Sequence, residues 1–457
     1  MQSLLPYLAI VVVILTGYGV YKKYHVNIVL LLAGLVLNLL AVAGGVGNIL
    51  PKGTTSTGLE WFDIFELFRA VSRSQVASTG FIILIAGGFA AYMDKIGASG
   101  RLVRACLSPL QKLSMPYVVL GVVFLLGHFL GLVVTSAAGL AMLLVVSVYP
   151  VLIGLGVSGV AAAAVISSVL IHSYAPSSAI AVFAAKTAGI DPMEYLIGYQ
   201  LLADLPGAIA AMIAHVLVQR SLDARGLDVV RVSADASEKQ NGPTLPGFYA
   251  LLPLVPLILL FIFNKLVYKS IVLDVATAMS MGWVFALLVD WCYRRDTTKV
   301  FSDGAAMFKG MGEMLTSVVG LIFVAALFAK GLQNTGFVDL LVNTAKGAGL
   351  GLEGTGLIMS GVIGLVTILT GSGVASFTSL APLAPSIADG FGNSPVELTL
   401  MMQIASECLR PVSPVAGVVI IVAGFAKVSP LAVVKRNLIP CLLAAGISTA
   451  IAMIMMG

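Results

Sequence analysis

Charge is scarce in this sequence. Asp, Glu, Lys and Arg make up 10% of its 457 residues, where an ordinary soluble domain carries about 25%. That excludes a water-facing surface around most of the chain. Cysteine is scarce too: Cys106, Cys292, Cys408 and Cys441 stand far apart with no C-x-x-C. Neither a disulfide framework nor a thiolate metal cluster fits that spacing. No G-x-x-x-x-G-K-[ST] occurs, so no ATP drive is visible. H-E-x-x-H, a paired Asp cluster and G-x-S-x-G are also missing. With them go the signatures of an intramembrane enzyme, and no tightly bound cofactor or metal is expected. The net charge of +5 is read as basic loops beside a membrane rather than a nucleic-acid surface.

What fills the chain is apolar residue, 59% of it, in many runs of about 17 residues or more, long enough to cross a bilayer as helices. This predicts an all-α polytopic membrane protein embedded in the lipid bilayer. In residues 1–219, spans are expected at 4–20, 26–47, 77–93, 157–186 and 196–219. In residues 247–457 they are expected at 247–263, 271–291, 313–330, 396–424 and 432–454. The first run is followed, not preceded, by Lys22-Lys23 and lacks a small-residue cleavage site, so it reads as a retained span. An amphipathic piece from Leu59 to Val71 is expected to lie on the membrane surface. The polar stretch 220–246 divides the halves as a linker.

Four apolar stretches are interrupted: at Thr135-Ser136-Ala137-Ala138-Gly139, at Tyr174-Ala175-Pro176-Ser177-Ser178, at Thr370-Gly371-Ser372-Gly373, and from Glu407 to Pro414. The intervals from Thr135 to Pro150 to Pro176 equal those from Thr370 to Pro385 to Pro411. A constant shift across three landmarks argues internal duplication. Broken segments at matching places in two halves point to a transporter's binding site. The segment 116–156 reads either as two spans or as one re-entrant hairpin. If it and 352–389 are hairpins, each half has five spans, and an odd number inverts one half against the other. With the N-terminus outside, about two-thirds of the 26 Lys and Arg fall on the inside, as the positive-inside rule requires. The linker is then inside and both termini are outside.

Half-helices that start after these breaks aim unpaired N–H groups and partial positive charge at one volume. Hydroxyls of Thr135, Ser136, Ser177, Ser178, Thr370, Ser372 and Ser413 stand beside them, with the flexible Gly371 and Gly373. Arg410 adds a full charge and a planar fork that suits a carboxylate. An Arg at the centre of a membrane helix costs about 2.5–3.5 kcal/mol on insertion scales, so its presence is itself a functional signal. The expected ligand is an anion, best a carboxylate. Glu407, His172 and Asp204 are candidate coupling groups, taking up a proton, or in the case of Glu407 a sodium ion, with the substrate. Blander readings stand beside these. Pro176 and Pro411 can be plain kinks, Gly-x-Gly can be close helix packing, and Glu407 and Arg410 can simply neutralise each other. His172 and Asp204 can be satisfied buried groups.

On these residues the sequence resembles the anaerobic C4-dicarboxylate carriers of the DcuC type, over nearly the whole chain. The matching pieces are Gly88-Phe-Ala-Ala-Tyr-Met with Ile96-Gly-Ala, Thr135-Ser-Ala-Ala-Gly-Leu, Gly371-Ser-Gly, Arg410 with Ser413-Pro-Val, and Ala423-Gly-Phe-Ala-Lys-Val-Ser-Pro-Leu-Ala-Val-Val-Lys-Arg. The resemblance implies uptake, efflux or exchange of succinate, fumarate, malate or aspartate across the bacterial inner membrane. It also implies a homodimer in which a transport domain with two hairpins moves against a scaffold as an elevator, coupled to H+ or Na+. The chain departs from the family pattern at Ile180, Val374 and Glu407, which moves an acid from the first broken helix to the second. A transporter of another small carboxylate or an amino acid, or an anion channel, is the alternative.

Overall fold

The computed structural model describes residues 2–22, 24–109, 115–226, 245–263 and 270–456. Within them every regular element is helical, and 8 helices are long and apolar enough to cross a membrane. Most of the expected linker, residues 227–244, lies outside the described residues. The interruptions fall where the sequence places them. Pro116–Gly131 is followed by Ala137–Ser147, Gly159–Ser168 by Ala179–Thr187, Leu352–Thr370 by Gly373–Leu380, and Val396–Cys408 by Gly417–Phe425.

Several elements differ from expectation. The amphipathic piece does not lie apart on the surface: it runs through Glu60–Gln75 and Val76–Gly80 into Phe81–Lys95 as one helix of 36 residues. Its first turn is held by Asp63, which accepts from the Ser56 and Thr57 hydroxyls and the Thr57 N–H. The span expected at 313–330 likewise extends over Thr297–Asn334. Leu5–Tyr21 and Gly247–Ile262 are shorter than a full crossing, whereas Leu352–Thr370, expected as the first arm of a re-entrant hairpin, has the length of one.

The same local features recur in both halves. Each long helix carries a π-helical turn, Val76–Gly80 and Leu315–Val319. Each is followed by a left-handed glycine, Gly97 or Gly336, at the start of a short amphipathic helix. The two long helices pack antiparallel. A Cβ on Gly80 would meet Val319, one on Gly87 would meet Met314, and one on Gly310 would meet Ala91.

A second antiparallel seam joins Pro192–Ala224 to Pro430–Met456. A Cβ on Gly207 would stand 2.9 Å from the Ala444 carbonyl oxygen, so only a hydrogen fits there. Further along, the Gln219 amide donates to the Arg436 carbonyl at 3.1 Å. In a membrane there is little hydrophobic drive between helices, and small residues gain association by letting backbones approach. The seam ends in a polar clamp. Asp223 accepts from Arg436 Nη1 at 2.5 Å, the Ser158 hydroxyl at 2.6 Å, the Ser158 N–H at 3.1 Å and the Tyr117 hydroxyl at 3.0 Å. One carboxylate thereby fixes the ends of four elements.

The helices sort into two packed groups. One is built on Val26–Ala43, Glu60–Lys95, Val275–Arg294 and Thr297–Asn334. The other is built on both interrupted helices, Pro116–Gly131, Ala137–Ser147, Leu352–Thr370 and the Pro192–Ala224 seam, and Gly373–Leu380 packs on both groups.

Gly207 gives a direct test of the seam. Gly207→Ala should destabilise the detergent-solubilised protein by about 1–3 kcal/mol, the usual cost of overpacking. Gly446, on the partner helix, has nothing within 4 Å of its virtual Cβ. Gly446→Ala should be neutral or stabilising by up to about 1 kcal/mol through helix propensity. Thermal midpoints read the difference, and a Gly207→Ala midpoint at or above wild type would contradict the packing.

Candidate functional site

The two interrupted helices meet break to break. The first break, 169–178, and the second, 409–416, leave backbone groups without helical partners, and each break supplies what the other lacks. Arg410 Nη2 donates to the Leu170 carbonyl at 2.6 Å. The Ser173 N–H donates to Glu407 Oε2 at 3.1 Å. Glu407 and Arg410 form no ion pair within 4.0 Å among the described residues: both side chains cross to the other half instead. The two groups are therefore not in direct contact, although each lies within the electrostatic reach of the other. Arg410 Nε is buried and has no hydrogen-bond partner, and neither has Glu407 Oε1.

The second hairpin tip rests on the second break. Gly371 has φ +74° and its virtual Cβ stands 2.7 Å from the backbone of Ala416. At Gly373 a Cβ would stand 2.6 Å from the Ser406 carbonyl oxygen and 4.0 Å from Arg410 Cβ. Both glycines of the Gly-Ser-Gly motif are thus required by close approach, and Gly371 also by its left-handed backbone. Ser372 caps Gly373–Leu380 by accepting from the Ala375 N–H at 3.2 Å. Thr370 donates to the Val366 carbonyl within its own helix, and Ser413 donates to the Ile368 carbonyl, which fastens the second break to the end of Leu352–Thr370.

The other expected residues are placed as follows. Ser177 and Ser178 are buried just before Ala179–Thr187, which packs on the second hairpin through Phe183 against Phe377. Ser136 is exposed and caps its own helix, Ala137–Ser147, with Thr135 beside it. That helix packs on Gly417–Phe425. The fourth half-helix does not start directly after Pro411. A short turn, Arg410–Val412, and an extended stretch precede Gly417, because Pro411 and Pro414 leave two nitrogens that cannot donate.

Behind the breaks lies a buried polar network. Tyr195 donates to Gln403 at 2.7 Å, and Gln403 reaches Glu407 at 3.4 Å. Gln200 donates to the Ser173 carbonyl at 3.0 Å. His172 Nε2 lies 3.5 Å from Asp204 Oδ1, 3.2 Å from the Ser448 hydroxyl and 3.4 Å from Cys408 Sγ. Asn437 donates to Ser167 and to the Pro411 carbonyl. His172 and Asp204 are thus brought together, with His172 adjacent in the chain to Ser173, whose N–H bonds Glu407. Gln200, Gln403, Asn437 and Ser448 were not anticipated. Their signal was a lone polar side chain inside an apolar span, and Gln403 stands one helical turn before Glu407. Among the described residues no group of three or more His, Cys, Asp or Glu is placed to hold a metal ion.

The sequence matches the family described as C4-dicarboxylate anaerobic carrier, DcuC, over residues 5–457. The anaerobic C4-dicarboxylate transporter DcuC of Escherichia coli K12 is 33% identical over 437 residues, 95% of this chain and 94% of that protein. The probable anaerobic C4-dicarboxylate transporter DcuC of Vibrio cholerae is 33% identical over 438 residues, with 95% and 94% covered. Among solved structures, the YdaH transporter of Alcanivorax borkumensis superposes with a TM-score of 0.60 at 17% identity, over 94% of this chain and 98% of that one. Neisseria gonorrhoeae MtrF gives 0.60 at 13% identity, over 96% of both. These two structures are similar in fold.

The tip geometry makes a prediction independent of substrate. Gly371→Ala forces a side chain into a left-handed backbone and onto the Ala416 backbone, a strain of about 1–3 kcal/mol. Gly361, on the same hairpin arm, has open space around its virtual Cβ. In proteoliposomes at equal reconstituted protein, Gly371→Ala should lose most uptake and Gly361→Ala should retain it. Equal uptake by both would detach the tip from function.

Proposed function

The chain belongs to the DcuC family of anaerobic C4-dicarboxylate carriers, and from that premise we propose a secondary transporter of succinate, fumarate, malate or aspartate. It is a multi-pass protein of the bacterial inner membrane and not an enzyme. The observation that carries the substrate assignment is the pair of facing breaks, where Arg410 keeps a buried Nε without a partner next to the Gly371 tip. A carboxylate placed there takes a charge-assisted bond from the guanidinium. It also lies near the positive end of Gly373–Leu380, where anions are favoured. Ser177, Ser178, Ser372 and, from the other hairpin, Thr135 and Ser136 are the proposed neutral contacts, with Thr370, Gly371, Gly373 and Ser413 shaping the tip.

The same proposal includes two inverted repeats and an elevator movement of the hairpin-bearing group against the other group. Support comes from the matched π-turns and glycines of the halves and from the antiparallel packing of corresponding helices. The interior linker and exterior termini follow the charge distribution. The homodimer rests on the resemblance alone.

Ion coupling is proposed at Glu407, with a proton favoured over sodium, because this carboxylate is buried beside the site and not paired with Arg410. His172 and Asp204 are next in line.

Two substitutions test these assignments. Arg410→Lys should damage substrate binding as severely as Arg410→Ala, since an ammonium cannot present a planar fork. Transport retained in the double variant Glu407→Gln with Arg410→Gln would remove Arg410 from the site. Glu407→Gln should leave dicarboxylate exchange intact and abolish accumulation driven by a proton or sodium gradient. Persistent gradient-driven accumulation would move the coupling role to His172 and Asp204.

A further inference from the structure

Outside the breaks, a groove of about 540 Å³ opens between the ends of Pro192–Ala224 and Pro430–Met456. Its walls are apolar and outward-facing: Leu217 is 62% exposed and Ile439 52%. Its end is basic, with Arg225 and Lys435 exposed and Arg436 beneath them. Arg436 is held by Asp223 and Gln219, so the groove's floor is preset by the clamp that fixes the seam. Ser221 adds a hydroxyl at the same level. Apolar walls that open sideways, capped at one end by cations, match one molecule: a phospholipid with its chains along the helices and an anionic headgroup at the basic end. Basic pockets between membrane helices on the cytoplasmic side are the pattern for anionic headgroup binding. Long Lys and Arg side chains at helix ends reach the interface readily.

We propose that this groove binds an anionic phospholipid, its phosphate between Arg225 and Lys435 and its acyl chains against Leu217, Leu222 and Ile439. On the topology above this is the inner leaflet. The neighbouring chain segment 227–244 is a weaker occupant by charge, since Asp228, Asp235 and Glu238 are offset by Arg231 and Lys239. None of the proposed lipid contacts is a candidate substrate residue, so lipid binding can be read without reading transport.

Native mass spectrometry and thermal unfolding of the full-length, delipidated protein test this, with phosphatidylglycerol, phosphatidylcholine and inorganic phosphate as probes. Phosphatidylglycerol should bind and raise the unfolding midpoint, and phosphatidylcholine and phosphate should do so far less. Arg225→Gln and Lys435→Gln should each weaken phosphatidylglycerol binding about fivefold, the equivalent of one surface charge near an anionic lipid. Equal binding of both lipids, an equal midpoint rise with phosphate alone, or an unchanged affinity in the double variant would each overturn the proposal. So would a wild-type protein that fails to bind phosphatidylglycerol while the triple variant Asp228→Asn, Asp235→Asn, Glu238→Gln binds it, because the linker would then hold the groove.

Discussion

A helix that stops inside a membrane must find new partners for the backbone groups it releases. An unsatisfied group there costs several kcal/mol. This protein meets that constraint by making each interruption the partner of the other. The Leu170 carbonyl takes Arg410, and the Ser173 N–H takes Glu407. The charged side chains thereby serve the chain's own backbone, and the proposed substrate contacts draw on the same two groups. An uncharged Gln at 407 keeps an oxygen that can accept from Ser173, whereas no neutral side chain of similar reach replaces the guanidinium at Leu170. The two breaks are thus bonded to each other across the halves of the chain.

The surrounding helices hold that pair in register. The seam between Pro192–Ala224 and Pro430–Met456 relies on Gly207 for closeness and on Asp223 for direction. Asp223 collects donors from Tyr117, Ser158 and Arg436, which join the first hairpin, the first interrupted helix and the last helix at one point. A second polar node stands in the other group, where Arg294 meets Asp290 at 2.8 Å and Asp303 at 2.7 Å. Each group therefore has an apolar seam with an Arg–Asp contact near its end.

The breaks themselves were legible because interruption has a local chemistry. Thr370-Gly-Ser-Gly, Pro176 and Pro411 cannot continue an apolar helix without a reason, and the breaks fall at these landmarks. Two things were read imperfectly for physical reasons. The Leu59–Val71 piece looked like a separate surface helix because its polarity changes at Val76, yet polarity does not stop a helix and no side-chain cap forms at the junction, although Ser74, Ser78 and Thr79 stand there. The start after Pro411 was placed too early because proline marks where a helix cannot continue but not where the next can begin. Arg410 and Glu407 were identified from composition, but their partners were not, since Leu170 and Ser173 offer backbone atoms that any residue would supply. Gln403 and Asn437 had a visible signal that was not used: an amide in an apolar span seeks a partner.

The order in which the chain is made gives the polar network a history. Arg436 meets Asp223 from 213 residues downstream, Asn437 meets Ser167 from 270, and Ser448 meets His172 from 276. At about 5–20 residues per second, the later partners emerge roughly ten seconds to a minute after the earlier ones. During that interval the first half is inserted with a carboxylate, a histidine and a broken helix still waiting for their complements. Biogenesis must keep those groups wet or sheltered until the last helix arrives, so the final stretch of translation acts as the closing step of folding for residues made long before.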